Sequence, residues 1–124
     1  MLKSILFIAI GGAAGSVMRY FTSLVVKHYF SGSFPLATFI ANIAGCFLIG
    51  MFTGLALKYN WTVNSNISLL LITGFCGGYT TFSAFAIENV RLLENGNFIT
   101  FITYTALSIF LGIVCVWLGI LLTK

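Results

Sequence analysis

Four long apolar stretches alternate with short polar ones along the chain, and this pattern predicts four membrane-spanning helices. The apolar stretches cover about residues 2–30, 35–57, 66–93 and 98–123. Each is long enough to cross the roughly 30 Å hydrocarbon core of a bilayer as a helix. The expected fold is therefore an all-α membrane protein with one transmembrane domain over residues 1–124.

The polar stretches have the character of turns and loops. Residues 31–35 read Ser-Gly-Ser-Phe-Pro, a turn signal in which the proline can open the second helix. Residues 58–65 are the longest hydrophilic segment and are expected to form a loop. Residues 94–97, Glu-Asn-Gly-Asn, predict a tight turn before the last helix.

Composition and charge exclude several classes of protein. Hydrophobic residues make up 60% of the chain and charged residues 6%, whereas soluble domains carry about a quarter charged residues. The net charge of +4 comes from scattered single cations, most of them near the ends of the apolar stretches, so they indicate interfacial anchors and not a nucleic-acid surface. The sequence has no nucleotide-binding loop, no Ser/His/Asp set and no metal-ligand spacing among its cysteines, so we do not expect an enzyme.

The cations divide almost evenly between the two sides of the membrane. One side carries three and the other two or three: Lys3, Lys58 and Lys124 against Lys27, Arg91 and, reaching toward that side, Arg19. The positive-inside rule then gives almost no preferred orientation. Either copies insert in both orientations and pair head to tail, which would form an inverted repeat, or a small protein simply has few charges.

The centre of the third apolar stretch is the most informative part of the sequence. Residues 74–85 read Gly-Phe-Cys-Gly-Gly-Tyr-Thr-Thr-Phe-Ser-Ala-Phe, and glycine and threonine are poor helix formers. A break near the bilayer midplane would leave backbone groups that need protein, an ion or water as partners. Such breaks are kept where carbonyls bind a cation and helix N-termini face an anion. The alternative is an unbroken helix with a glycine packing face.

Several side chains near this stretch are candidates for contact with a small anion. Phe82 and Phe85 share a helix face, and aromatic ring edges carry partial positive charge, although packing is the alternative. Asn42 in the second stretch offers amide donors to an anion or makes an interhelical hydrogen bond. Hydroxyl groups that would together line a path come from Thr81, Ser83, Tyr104 and Ser108. In a membrane helix, a serine or threonine hydroxyl often bonds only its own backbone.

Arg19 and Glu88 are each open to two interpretations. Arg19 lies well inside the first stretch, where it either snorkels to the nearer surface or gives an anion vestibule its positive potential. Glu88 is either a surface carboxylate or a pathway residue. The two acidic residues are Glu88, late in the third stretch, and Glu94, directly after its end. Proton-coupled antiporters usually need a membrane carboxylate. The other three stretches contain no acidic residue, which argues against that activity.

Three motifs together resemble the Fluc/CrcB family of fluoride channels. They are Gly-Gly-Ala-Ala-Gly-Ser-Val-Met-Arg-Tyr at residues 11–20, Thr-Phe-Ile-Ala-Asn-Ile-Ala-Gly at 38–45 and Gly-Gly-Tyr-Thr-Thr-Phe-Ser-Ala-Phe at 77–85. The match follows the family's order and length, and the third motif is very specific. The departures are Ala37 in place of the usual glycine, Ala84 in place of serine or threonine, and Gly112, which offers no hydroxyl one turn beyond Ser108.

The resemblance implies an antiparallel, dual-topology homodimer with two fluoride pores and a third helix broken at midplane. It implies a structural sodium ion (Na+) at the dimer axis, held by backbone carbonyls of Gly77 and Thr80 from both chains. It also implies a fluoride pathway with an aromatic pair, an amide donor and a hydroxyl track: Phe82 with Phe85, Asn42, and Tyr104 with Ser108.

The function expected from the resemblance is passive, fluoride-selective efflux through a multi-pass protein of the inner or plasma membrane, which would confer fluoride resistance. Fluoride is strongly hydrated, so many weak donors would have to replace its water without trapping it. The alternatives are a small dual-topology proton-coupled transporter of organic cations and a structural subunit of a larger complex. The sequence leaves open the conductance, the selectivity over chloride, the role of Glu88 and the identity of the central cation.

Overall fold

The computed structural model describes residues 1–124 as helices joined by short connections, without a strand. In chain order the elements are α1 (Leu2–Tyr29), α2 (Leu36–Lys58), α3 (Asn66–Ser68), a π-helix (Leu69–Cys76), α4 (Gly77–Tyr79), α5 (Phe82–Glu94) and α6 (Phe98–Thr123). The elements from α3 to α5 together form the third span, Asn66–Glu94. Four segments are thus long and apolar enough to cross a membrane, which confirms the predicted all-α fold with four spans.

The third span is interrupted between α4 and α5. Thr80 and Thr81 have extended backbone, with φ/ψ of −82°/158° and −153°/122°. The helix restarts with Thr81 as its N-cap, because the Thr81 hydroxyl accepts the backbone N–H of Ala84 at 3.3 Å. The position of this interruption across a bilayer, expected at the midplane, stays a prediction.

Close backbone packing holds α1 against the first part of the third span. A Cβ added at Gly11 would overlap the carbonyl oxygen of Leu70, and one added at Gly15 would overlap that of Phe75. Only glycine allows these approaches, which is the usual role of small residues at helical spacing in membrane proteins. The α2 and α6 helices approach each other in the same way at Gly50.

The single chain has a small interior and an apolar exterior. Tyr104 and Cys76 are the largest side chains with almost no exposed surface. Many large apolar side chains on the outside are exposed, among them Ile99 and Phe82. Exposed apolar surface of this extent is unfavourable in water, so lipid or another protein chain has to cover it.

Candidate functional site

Asn42 on α2 binds the interrupted backbone of the third span. Its Nδ2 donates to the Thr81 carbonyl oxygen at 3.0 Å, and its Oδ1 accepts the Thr81 backbone N–H at 2.8 Å. These two bonds replace backbone bonds lost where the helix stops. An amide group has two N–H donors, so Asn42 keeps one donor that the protein does not use.

A cavity of about 340 Å³ lies beside the interruption, and we call it the aromatic cavity. Residues of three spans form its wall, and they combine hydrogen-bond donors with two phenyl rings. Among them are Asn42, Cys46, Thr81, Phe82, Phe85 and Ser108. The structure therefore brings together the predicted Asn42, the predicted aromatic pair and two of the four predicted hydroxyl residues, Thr81 and Ser108. Lys, Arg, Asp and Glu do not contribute to this wall.

The two phenyl rings of the aromatic cavity lie close together. The ring centroids of Phe82 and Phe85 are 5.8 Å apart, with a 40° angle between the ring planes. Phe85 also packs on the ring of Tyr104, with a centroid distance of 5.1 Å. Phe82 is 79% exposed. The edges of such rings are weakly positive, so the pair is able to contact an anion without a formal charge.

Ser108, a residue of the aromatic cavity wall, has an unsatisfied hydroxyl. Its Oγ is buried and has no hydrogen-bond partner. Serine in a membrane helix normally bonds the carbonyl four residues earlier, and leaving a buried polar group unpaired costs roughly 1–3 kcal/mol. The Ser108 hydroxyl is therefore available to donate a hydrogen bond to a polar group that enters the cavity.

The Tyr104 hydroxyl, in contrast, is used within the protein. It donates to Glu88 Oε2 at 2.8 Å, while the Thr38 hydroxyl donates to Glu88 Oε1 at 2.6 Å. Glu88 is half-buried and joins α5 to α2 and α6. It is therefore not a freely exposed surface carboxylate. We did not single out Thr38 from the sequence, although its spacing of four from Asn42 placed both on one face of α2.

Two further cavities are lined in part by residues of the third span. One of about 400 Å³ is lined by Arg19, Thr38, Thr81 and Glu88, among others. The other, of about 650 Å³, is lined by Lys27, Glu88 and Arg91, among others. The first shares Thr81 with the aromatic cavity, and Glu88 lines both of the larger cavities. Arg19 thus faces a polar cavity next to the interruption.

The hydroxyl groups nearest the interruption make local contacts. The Thr80 hydroxyl donates to the Cys76 carbonyl at 2.9 Å. The hydroxyls of Thr81 and Ser83 lie 3.3 Å apart. Ser83 is exposed and does not line the aromatic cavity, so the structure separates it from the other predicted pathway residues.

Two backbone carbonyls at the interruption lack their usual partners. The Thr81 N–H, which would bond the Gly77 carbonyl in a continuous helix, bonds Asn42 instead. The Thr80 carbonyl accepts none of the hydrogen bonds made by the connecting segments. Gly77 is exposed, and a Cβ there would meet nothing within 4 Å. Because hard cations prefer oxygen ligands, these carbonyls have the donor chemistry for one.

Comparison with known proteins gives matches along nearly the whole chain. Residues 6–120 match the family described as CrcB-like protein, Camphor Resistance (CrcB). A protein from Flavobacterium psychrophilum named fluoride-specific ion channel FluC is 49% identical over 123 residues, which cover 99% of this chain and 98% of that protein. Proteins with the same name from Azobacteroides pseudotrichonymphae and Phocaeicola vulgatus are 45% and 42% identical. These two matches cover 100% and 99% of this chain and 98% and 100% of the respective relatives.

Proposed function

This chain belongs to the CrcB family, and we propose that it is a fluoride-selective ion channel that gives passive fluoride efflux and fluoride resistance. The observation that carries the proposal is the aromatic cavity, which sets an unpaired serine hydroxyl and a free amide N–H beside two phenyl rings. The near full-length identity to proteins named fluoride-specific ion channels supports the same function.

The donors of the aromatic cavity suit a small, strongly hydrated anion. Asn42 and Ser108 would replace part of the water around fluoride with hydrogen bonds, and the edges of Phe82 and Phe85 would add weak contacts. None of these groups carries a formal charge, so the anion would not be trapped. Conduction requires such a balance, because an ion that binds tightly leaves slowly.

The larger cavities would connect the aromatic cavity to water. Arg19 in the 400 Å³ cavity and Lys27 with Arg91 in the 650 Å³ cavity would raise the local concentration of anions. Glu88, held by two hydroxyls, would border the route between the two cavities. Passage is passive in this proposal. A membrane potential that is negative on the inside of the cell would drive the anion outward.

The proposal includes an antiparallel, dual-topology homodimer of this chain. The almost even division of cations between the two sides supports insertion in both orientations. Exposed Phe82 and exposed Gly77 flank backbone groups without their usual partners. Backbone groups of this kind are not tolerated against lipid, so a second copy over this face, with the interruption at the midplane, accounts for them.

A structural sodium ion is the remaining part of the proposal. The carbonyls of Gly77 and Thr80 fit a hard cation, and a second chain would supply two more oxygen donors. No group of three or more His, Cys, Asp or Glu side chains offers an alternative metal site. The ion would supply the positive charge that balances the carbonyl dipoles where the two chains meet.

Fluoride efflux from liposomes tests the function directly. Purified protein is reconstituted in vesicles loaded with fluoride, valinomycin clamps the charge movement, and matched vesicles are loaded with chloride. We expect rapid fluoride efflux and little chloride efflux. Absence of fluoride efflux from a well-folded preparation would contradict the proposal, and proton-coupled uptake of guanidinium-like cations would then be measured to test the transporter alternative.

A further inference from the structure

The wall of the aromatic cavity includes a cysteine that the proposed function does not use. Cys46 lines the cavity together with Asn42 and Ser108. It follows Asn42 by four residues, so both side chains lie on one face of α2. Cys46 is a free, half-buried cysteine. A thiol is a weak hydrogen-bond donor, which makes it chemically similar to the other uncharged donors of this wall.

The position of the thiol coincides with a gap in the hydroxyl groups of α6. Tyr104, Ser108 and Gly112 follow one another at intervals of four, and Gly112 has no side chain to offer. A Cβ added at Gly112 would lie 3.5 Å from Cys46 Sγ, the only atom of another helix within 4 Å. The sulfur therefore lies in ordinary contact with the position where a side chain on residue 112 would begin, one turn beyond the unpaired Ser108 hydroxyl.

We infer that Cys46 is a pathway residue whose thiol donates a weak hydrogen bond to fluoride in the aromatic cavity, in place of a hydroxyl at position 112. This inference rests on the proposed function. The thiol and the Ser108 hydroxyl come from facing helices and belong to the same wall. A weak donor at this point lets the anion move on from Ser108 without creating a deep site.

Two substitutions separate the donor from the volume of the side chain. Cys46→Ala removes the donor and is expected to lower the fluoride efflux rate about threefold to tenfold, the effect of one lost hydrogen bond. Cys46→Ser keeps a donor and is expected to match or exceed the unaltered protein. Cys115→Ala is the matched control, because Cys115 is also free and half-buried but does not line the cavity. Equal rates for Cys46→Ala and Cys46→Ser would overturn the inference.

A rescue experiment tests the same point from the facing helix. Gly112→Ser places a hydroxyl against position 46, and its Cβ fits because 3.5 Å is an ordinary contact. In the Cys46→Ala background, Gly112→Ser is expected to restore at least half of the lost efflux rate. The coupling is measured as a double-mutant cycle, with Gly112→Ser alone as the control. A double variant no faster than Cys46→Ala would contradict the inference.

Thiol labelling gives a readout on the unaltered protein that packing alone would not change. Methyl methanethiosulfonate transfers its CH3S group to the cysteine thiolate, forming an S–S bond and releasing methanesulfinate, while the thiol proton goes to water. Mass spectrometry then measures labelling at each cysteine in fluoride and in chloride of equal ionic strength.

We expect fluoride to slow the labelling of Cys46 severalfold and to leave that of Cys115 unchanged. Cys46 labelling that is absent or independent of fluoride would overturn the inference, since a pathway thiol is reachable from water and competes with the ion. Failure of the proposed function gives a different result, because the unaltered protein would then show no fluoride efflux at all.

Discussion

The two halves of the third span are held in place by different kinds of contact. The first half, up to Tyr79, meets α1 backbone to backbone at Gly11 and Gly15. The second half, α5, is joined to α2 and α6 by side-chain contacts, among them hydrogen bonds from Thr38 and Tyr104 to Glu88. Close packing in the first half holds α1 against the third span. The second half places polar side chains such as Glu88 at the cavities.

This difference separates two kinds of substitution. A side chain added where backbones touch forces the helices apart, because a packed backbone cannot move locally. A polar group removed from α5 or its partners leaves the helices in place and changes the chemistry of the cavities. We therefore expect changes in the first half to act on assembly and changes around α5 to act on fluoride flux.

The largest effect is expected from Gly11→Ala. The added Cβ would overlap the Leu70 carbonyl oxygen, and overpacking of this kind costs about 1–3 kcal/mol. Gly12→Ala is the matched control, because its Cβ would lie 3.9 Å from the Gly74 carbonyl oxygen. Thermal unfolding followed by size-exclusion chromatography should show a lower midpoint for Gly11→Ala alone. Equal midpoints for the two variants would show that the backbone contact does not hold α1 in place.

Asn42→Ala is expected to have the next largest effect. It removes both hydrogen bonds to the half-buried Thr81 backbone, each of which contributes about 0.5–1.5 kcal/mol. Fluoride efflux should fall more than about tenfold, and the melting midpoint should fall as well. Efflux at the unaltered rate would mean that neither the free amide donor nor the shape of the interruption matters for flux.

Phe82→Ile should lower fluoride efflux while leaving assembly intact. The substitution keeps an apolar side chain but removes an aromatic ring, with its weakly positive edge, from the cavity wall. Phe110→Ile is the control, since Phe110 is 65% exposed and does not line the aromatic cavity. We expect about a tenfold loss of efflux for Phe82→Ile and for Phe85→Ile. If these variants instead fail to assemble, the protein is better explained as a structural subunit in which the two rings serve only for packing.

The smallest effects are expected at the Glu88 hydrogen bonds. Tyr104→Phe and Thr38→Val each remove one hydroxyl that donates to Glu88 and preserve the size of the side chain. Interhelical hydrogen bonds in membranes contribute about 0.6 kcal/mol on average, so each variant should lower efflux about threefold or less. Efflux rates and melting midpoints are compared with those of Thr105→Val, which removes a hydroxyl bonded to Asn89 instead. A tenfold loss of efflux in Thr105→Val would contradict the assignment of a role in fluoride flux to the Glu88 hydrogen bonds in particular.

The four membrane-spanning helices and most residues of the aromatic cavity wall could be predicted from the sequence. Long apolar runs flanked by turn residues leave a helix as the only way to pair the backbone in a membrane. The glycines and threonines near the end of the first half indicated an interruption, and its extended residues are Thr80 and Thr81. Local composition therefore carried the information for these features.

Other features depend on contacts between distant residues. Asn42 and Thr81 are 39 positions apart in the chain, and nothing near either residue indicates that the amide pairs with that backbone unit. The contact between Cys46 and the Gly112 position likewise exists only because α2 and α6 pack closely. The π-helix at Leu69–Cys76 has no signal that we recognised in an otherwise ordinary apolar run.

A reversal potential measured in a planar bilayer tests the central claim most directly. With fluoride and chloride gradients opposed across the bilayer and a third gradient in pH, each mechanism gives a different zero-current voltage. A fluoride-selective channel predicts reversal at the fluoride equilibrium potential, unchanged when the pH gradient is removed. Reversal at the chloride potential, or a shift that follows the proton gradient, would contradict passive and selective fluoride conduction by this protein.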